Sequence, residues 1–282
     1  MNRLLDHTRL LGLVCGALAV GLGIVHLTAA GAPFHYSVVN LAALILGFAV
    51  WLVAPVIAAR WSDGATLALA STLLATTFLA AEANGASRWV SAGPLSLQVS
   101  FIVLPAIIVL YARGIGAIGT ACILAAAFAL AAQPDRAMAG VLVAGTGAIV
   151  VTRPSRLSAL AFSAALLCFA ATMLRPDVVP AVPFVERVLS TSFDAHMLLG
   201  FAVIIGCLIL LAPTLGAVRD GRNRPILLAF GACWAASIAA SALGDYPTPL
   251  LGYGGSAVLG YFLSAALLGG SRDPARQTDA GD

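Results

Sequence analysis

Apolar positions in this chain neither alternate nor fall in the stripes of a surface helix. They run in ten long blocks, at about 10–31, 37–58, 64–83, 98–112, 114–132, 137–152, 155–174, 195–218, 225–243 and 253–270. A block of ~18 or more residues is long enough to cross a hydrocarbon core of roughly 30 Å. Backbone polar groups in lipid must pair within their own segment, so spans of this kind are helices, and no ten-residue alternating pattern points to a barrel. The pattern predicts an all-α fold, a polytopic transmembrane helical bundle. Several blocks are short, the fourth and sixth most of all, which leaves eight or nine spans as the alternative count. The first block starts after Arg3, Asp6 and Arg9 and continues to Gly31. It outruns the apolar stretch of a signal peptide and lacks a clear A-x-A site, so it reads as a retained first span.

Charge settles the count in favour of ten. Lysine is absent and all 15 positive residues are arginine. With ten spans and a cytoplasmic N-terminus, Arg3, Arg9, Arg60, Arg113, Arg153, Arg156, Arg219, Arg222, Arg224, Arg272 and Arg276 fall inside, against Arg88, Arg136, Arg175 and Arg187 outside. Dropping one internal span would move every later loop to the other side and destroy this positive-inside bias. Both termini are therefore expected in the cytoplasm, with residues 1–270 forming one transmembrane domain and 271–282 a polar cytoplasmic tail. The chain has no internal repeat, which lowers the case for an inverted-repeat transporter.

Composition agrees: 61% of residues are apolar and 10% charged, where soluble domains carry about 25% charged residues. This excludes a soluble enzyme. A net charge of +3 with arginines at helix ends forms no basic patch, so no nucleic acid is expected as a partner. Cys15, Cys122, Cys168, Cys207 and Cys233 stand singly in apolar blocks, which marks them as core residues rather than metal ligands or disulfides.

Polar chemistry concentrates in the segments between blocks. Asn84-Gly85-Ala86-Ser87-Arg88-Trp89 begins an external loop that continues through Gly93-Pro94 to Gln98 and Ser100. An arginine beside a tryptophan at the interface can pair with a lipid pyrophosphate, or serve as an ordinary aromatic anchor with a loop arginine. Asp135, after Gln133-Pro134, suits an N-cap of the sixth span. Gly254-Gly255-Ser256 lets backbone approach closely at a helix start, for a phosphate oxygen or for another helix. His26 lies deep in the first span, where a neutral imidazole bonded to a neighbouring helix would suffice. Glu82, Arg88 and Asp135 read as solvated external charges, with an ion cluster able to hold a metal as the alternative. Between Pro180 and Phe193, Phe184, Val185, Val188 and Leu189 share one helical face and Glu186 and Arg187 the other, the pattern of a short helix lying on the outer leaflet.

Asn84 to Trp89, followed by Gly-Pro-Leu-x-Leu-Gln-x-Ser, resembles the signature between the third and fourth spans of the shape, elongation, division and sporulation (SEDS) family, which includes FtsW, RodA and SpoVE. Gln133-Pro134-Asp135 and Tyr253-Gly254-Gly255-Ser256 resemble two further family motifs in the same order. The family also has ten spans with cytoplasmic termini. The resemblance implies an inner-membrane protein of bacterial peptidoglycan synthesis, division or shape. It would bind undecaprenyl-linked lipid II through Asn84, Arg88, Trp89, Gln98, Ser100, Gln133, Asp135, Tyr253, Gly254, Gly255 and Ser256. A transpeptidase (penicillin-binding protein) is the implied partner, and a divalent cation, magnesium or manganese, the implied cofactor of a catalytic member.

The chain is a shortened, divergent relative. The family's large loop before the eighth span is reduced here to about twenty residues. Its His-Thr-Asp-Phe signature corresponds to Ser190-Thr191-Ser192-Phe193-Asp194, with Ser192 at the catalytic aspartate's position and Asp194 in that role only after a two-residue shift. The fourth-span Gln-Pro-Ser-Glu reads Gln98-Val99-Ser100-Phe101. Three functions stay open from sequence: a peptidoglycan glycosyltransferase of degenerate activity with Asp194 as base, a non-catalytic scaffold of an envelope transpeptidase, and a lipid-carrier flippase or solute transporter.

Overall fold

A computed structural model describes residues 2–79, 88–92, 95–175, 180–218, 221 and 223–269. Each of the ten apolar blocks contains an α-helix: α1 (Asn2–Ala29), α2 (Phe34–Arg60), α3 (Ser62–Leu79), α4 (Val99–Arg113), α5 (Ala117–Ala132), α6 (Arg136–Thr152), α7 (Arg156–Met173), α9 (Met197–Leu210), α10 (Arg224–Leu243) and α11 (Gly255–Ala266). A short helix, α8 (Val188–Ala195), precedes α9, and a 3-10 segment, Ala212–Val218, follows it. The tail 271–282 lies outside the described residues.

Local chemistry sets the breaks. Asp135 caps α6 by accepting the Met138 N–H at 3.2 Å, as the sequence leads one to expect. Ser155 and Ser158 form a reciprocal capping box at the start of α7, satisfying two N–H groups that a helix end would strand. Pro225 occupies the first turn of α10, where its missing N–H costs nothing.

The helices alternate in direction. At one end, here called basal, the end of α2, the start of α3 and the α4–α5 junction border a common cavity, and Arg153 of the α6–α7 junction donates to the Ala112 carbonyl at 3.0 Å. A Cβ on Gly269 would touch Arg9, so the chain returns beside its own first helix. Arg9, Arg60, Arg113, Arg153, Arg156 and Arg224 gather at this basal end, and Arg88, Arg136, Arg175 and Arg187 at the opposite, apical end. The arginine segregation read from sequence is thus physically realised.

The chain is a multi-pass membrane protein. Ile45, Phe78, Val151 and Leu167 are among many large apolar side chains turned outward, an apolar exterior that suits a lipid surrounding. His7–Ala29, the α2–α3 run Phe34–Phe78, Arg156–Met173 and Arg224–Leu243 are long and apolar enough to cross a bilayer, and α9 with its bent 3-10 continuation makes a fifth. The remaining helices are shorter. Two of them, α4 and α11, run through the interior: α4 packs on α3, α5, α6, α10 and α11, and α11 on α1 and α2. Nearly every residue of α4 from Ser100 to Ala112 is buried.

Aromatic packing joins the central helices. Trp234 of α10 meets Tyr261 of α11 edge-on, with ring centroids 5.0 Å apart, and donates its indole N–H to Ser264 at 3.3 Å. Gly260 brings α11 so close to α4 that an added Cβ would run into the Phe101 carbonyl oxygen. All five cysteines are buried and free.

Two features depart from expectation. Within the apical loop before α4, β1 (Trp89–Ala92) pairs antiparallel with β2 (Leu95–Gln98), Trp89 facing Gln98 and Ser91 facing Ser96. The apolar and polar residues on this short segment gave no strand signal. The amphipathic surface helix expected over 180–193 starts only at Val188, because Phe184 and Arg187 adopt left-handed backbone conformations that interrupt a helix. Glu186 is therefore not on a solvent face but buried, bridged in backbone pairing to Pro247.

Candidate functional site

Three segments far apart in sequence meet at the apical end. Arg88, 4% exposed, donates to the Pro134 carbonyl at 2.6 Å, and its guanidinium lies 5.9 Å from the centre of the Trp89 ring. Gln98 donates its side-chain amide to Asp135 at 3.0 Å, and Ser100 donates its hydroxyl to the same carboxylate oxygen at 2.8 Å. The Gln98 backbone N–H in turn donates to the Ser256 hydroxyl at 3.0 Å. The β1–β2 pair, the α5–α6 turn and the start of α11 are thereby locked into one network. Asp135 is fully buried, and three donors around a carboxylate are the compensation such burial demands.

Above this network lies a cavity of about 320 Å³, lined among others by Trp89, Gln98, Glu186, Thr248, Tyr253 and Ser256. Tyr253 is held firmly. Its ring stacks on Tyr36 at 3.8 Å and 10°, and Asn40 clamps the backbone on either side of it. The Asn40 amide donates to the Gly252 carbonyl at 2.9 Å and accepts the Gly254 N–H at 3.1 Å. Gly254 has φ +148, a conformation closed to other residues. The Thr248 hydroxyl is buried in the cavity wall without a hydrogen-bond partner among the described residues, a state a bound polar group would relieve.

Not every expected site residue reaches this cavity. Asn84 and Glu82 lie outside the described residues, so an ion cluster cannot be traced through Glu82. Gln133 is buried and donates to Thr76 at 2.8 Å and Thr77 at 3.1 Å, fastening the end of α5 to α3. Gly255 begins α11 against Ala43 of α2. Asp194 is exposed on α8 and is not among the residues lining the cavity. Ser192 is buried, with its hydroxyl on the Leu189 carbonyl. Sequence reasoning passed over Glu186 and Thr248. A single glutamate on the polar face of an amphipathic pattern carries no local sign that the fold will bury it.

The residues fit a divalent cation poorly. Among the described residues no three His, Cys, Asp or Glu side chains come together, and the Asp135 oxygens already accept three hydrogen bonds.

Comparison with solved structures gives the fold a precedent. The rod-shape-determining protein RodA of Thermus thermophilus superposes with a TM-score of 0.66 at 22% identity, over 91% of this chain and 94% of that one. The chain has the RodA fold. A point variant of that RodA matches at TM-score 0.64 and 21% identity, over 91% of this chain and 95% of that one. A chain of a peptidoglycan synthase complex, solved for the structural coordination of polymerization and crosslinking, matches at 0.62 and 22%, with the same coverages of 91% and 95%. No protein-family model matches the chain, and no curated protein does. The match with RodA takes in over nine-tenths of each of the two chains.

Proposed function

We propose that this chain is a SEDS-type protein of the bacterial inner membrane that works in cell-wall synthesis and binds an undecaprenyl-pyrophosphate-linked glycan at its apical end. The positive-inside bias puts the basal end in the cytoplasm, so the cavity opens toward the side on which wall glycan is assembled. The observation that carries the reading is the convergence of the Arg88–Ser100, Gln133–Asp135 and Tyr253–Ser256 segments on one network beneath one cavity. Its walls combine the aromatic side chains of Trp89, Phe101 and Tyr253 with hydroxyl and carboxyl groups, a combination that suits a sugar ring with apolar C–H faces and polar edges. The Arg88 guanidinium against Trp89 adds positive charge beside it, which favours a pyrophosphate.

The test is binding of fluorescent lipid II to the chain in nanodiscs. The wild type should bind well above an undecaprenol control, and Trp89→Ala with Tyr253→Ala should weaken binding at least tenfold. Equal affinity for lipid II and undecaprenol would remove the glycan from the reading.

A second reading, a scaffold of an envelope transpeptidase, draws on Ser192, which is buried where the SEDS pattern has its carboxylate, and on the likeness to a chain of a synthase complex. Copurification with a penicillin-binding protein from the same cell envelope tests it. Loss of every such partner under mild detergent would count against it.

A further inference from the structure

Glu186 is the one carboxylate among the described residues lining the apical cavity, and the network beneath it gives it no task. It is 7% exposed, and its Oε2 accepts the Val182 N–H at 2.7 Å. The guanidinium next to it in sequence, Arg187, is engaged with Asp245. Burial pushes the Glu186 carboxyl above the usual carboxylate range. Proteins seldom leave such a group in an apolar wall without a use for it.

Its position is more telling than its burial. Glu186 also lines a second cavity, of about 330 Å³, together with His26, Phe184 and Thr191. The two cavities meet at Val182 and Glu186. On the second side the His26 Nδ1 is buried without a hydrogen-bond partner among the described residues, as the Thr248 hydroxyl is on the first. Each chamber thus presents an unsatisfied polar group, and the carboxylate stands between them. Joining two sugars requires this layout: a donor site, an acceptor site, and a base that reaches the acceptor hydroxyl at their boundary.

We infer that Glu186 is the general base of a glycosyl transfer between the two apical cavities. The inference rests on the proposed binding of a polyprenyl-pyrophosphate-linked glycan. The acceptor hydroxyl oxygen bonds to the anomeric carbon of the donor sugar, and the bond from that carbon to the pyrophosphate oxygen breaks. The polyprenyl pyrophosphate leaves with the electron pair, and Glu186 takes the hydroxyl proton and later releases it to water at the apical face. Other candidates are less well placed. Both oxygens of Asp135 accept hydrogen bonds within the network, Asp194 lines neither cavity, and the Ser192 hydroxyl is no base near neutral pH.

The experiment uses the full chain in nanodiscs with fluorescent lipid II, following binding by anisotropy and polymer on gels. It compares wild type, Glu186→Gln and Glu186→Asp. The wild type should form polymer. Glu186→Gln should lower kcat by about 100-fold or more, the scale of a lost general base, with a far smaller change in Kd, and Glu186→Asp should recover part of the rate with a displaced acid limb in its pH profile. That limb must be read against the neighbouring titratable groups His26 of α1, Tyr253 before α11 and the Arg187–Asp245 pair. Polymerisation by Glu186→Gln within threefold of wild type overturns the inference and leaves the binding proposal standing. So does a wild type that binds lipid II without polymerising it, and parallel loss of binding and rate in Glu186→Gln would assign the side chain to structure. A wild type that fails to bind lipid II brings down the proposed function itself.

Discussion

Replacing Asp135 by alanine should destabilise the apical end more than any other single change to the site. The carboxylate is fully buried and accepts from the Gln98 amide, the Ser100 hydroxyl and the Met138 N–H at 3.0, 2.8 and 3.2 Å. Alanine strands all three donors. A buried donor left without a partner costs about 1–3 kcal/mol, the Met138 N–H being the one through which Asp135 caps α6. Allowing the Ser100 hydroxyl to rotate to a new acceptor, the sum is about 4 kcal/mol. At ~2–4 °C per kcal/mol for a chain of this size, that lowers Tm by about 8–16 °C. Asp135→Asn keeps the shape but offers one acceptor oxygen and an amide that faces a donor, so it should lose about half as much. Unfolding can be followed with a thiol-reactive fluorogenic dye, because all five cysteines are buried and free and react only on opening. A Tm for Asp135→Ala within 2 °C of wild type would refute the assignment of this network as the brace of the site, and so would an Asp135→Asn loss equal to that of alanine.

Three further outcomes follow from particular contacts. Asn40→Ala releases the Gly252 carbonyl and the Gly254 N–H, so the Tyr253 turn should loosen and lipid II binding fall about tenfold, the equivalent of roughly 1.4 kcal/mol; unchanged affinity by anisotropy would show that the clamp does not position the cavity wall. Gly260→Ala forces a Cβ against the Phe101 carbonyl, and although alanine favours helix by about 1 kcal/mol, overpacking of about 1–3 kcal/mol should outweigh it and lower Tm; a raised Tm would mean that α11 and α4 have room to separate. Arg187 pairs with Asp245 through two hydrogen bonds, one of 3.0 Å, and holds the Asp245 carboxyl below the usual range. The unfolded chain then binds the proton more readily, so stability from this pair is present above about pH 4 and lost as pH falls through the folded value. The Tm gap between wild type and Asp245→Asn should therefore close on acidification, and a gap that widens would contradict the assigned sign.

The sequence by itself determined the helices and their polarity. Ten apolar blocks became ten helices, Asp135 and Ser155 capped theirs, and the arginines separated to the two ends, because partition between lipid and water acts on each segment locally and is written in its own residues. The motifs that resemble SEDS signatures marked Trp89, Gln98, Tyr253 and Ser256, all of which line one cavity. Only the tertiary structure decided what surrounds them. The Gln98–Ser256 contact spans 158 positions and the Asn40–Gly252 contact 212, and neither has a local signature. Glu186 reads in sequence as the polar face of a surface helix. It becomes the carboxylate between two cavities because left-handed turns at Phe184 and Arg187 fold that loop under the start of α11. Burial of a charge is a property of what other segments pack over it, and no single stretch of chain records that.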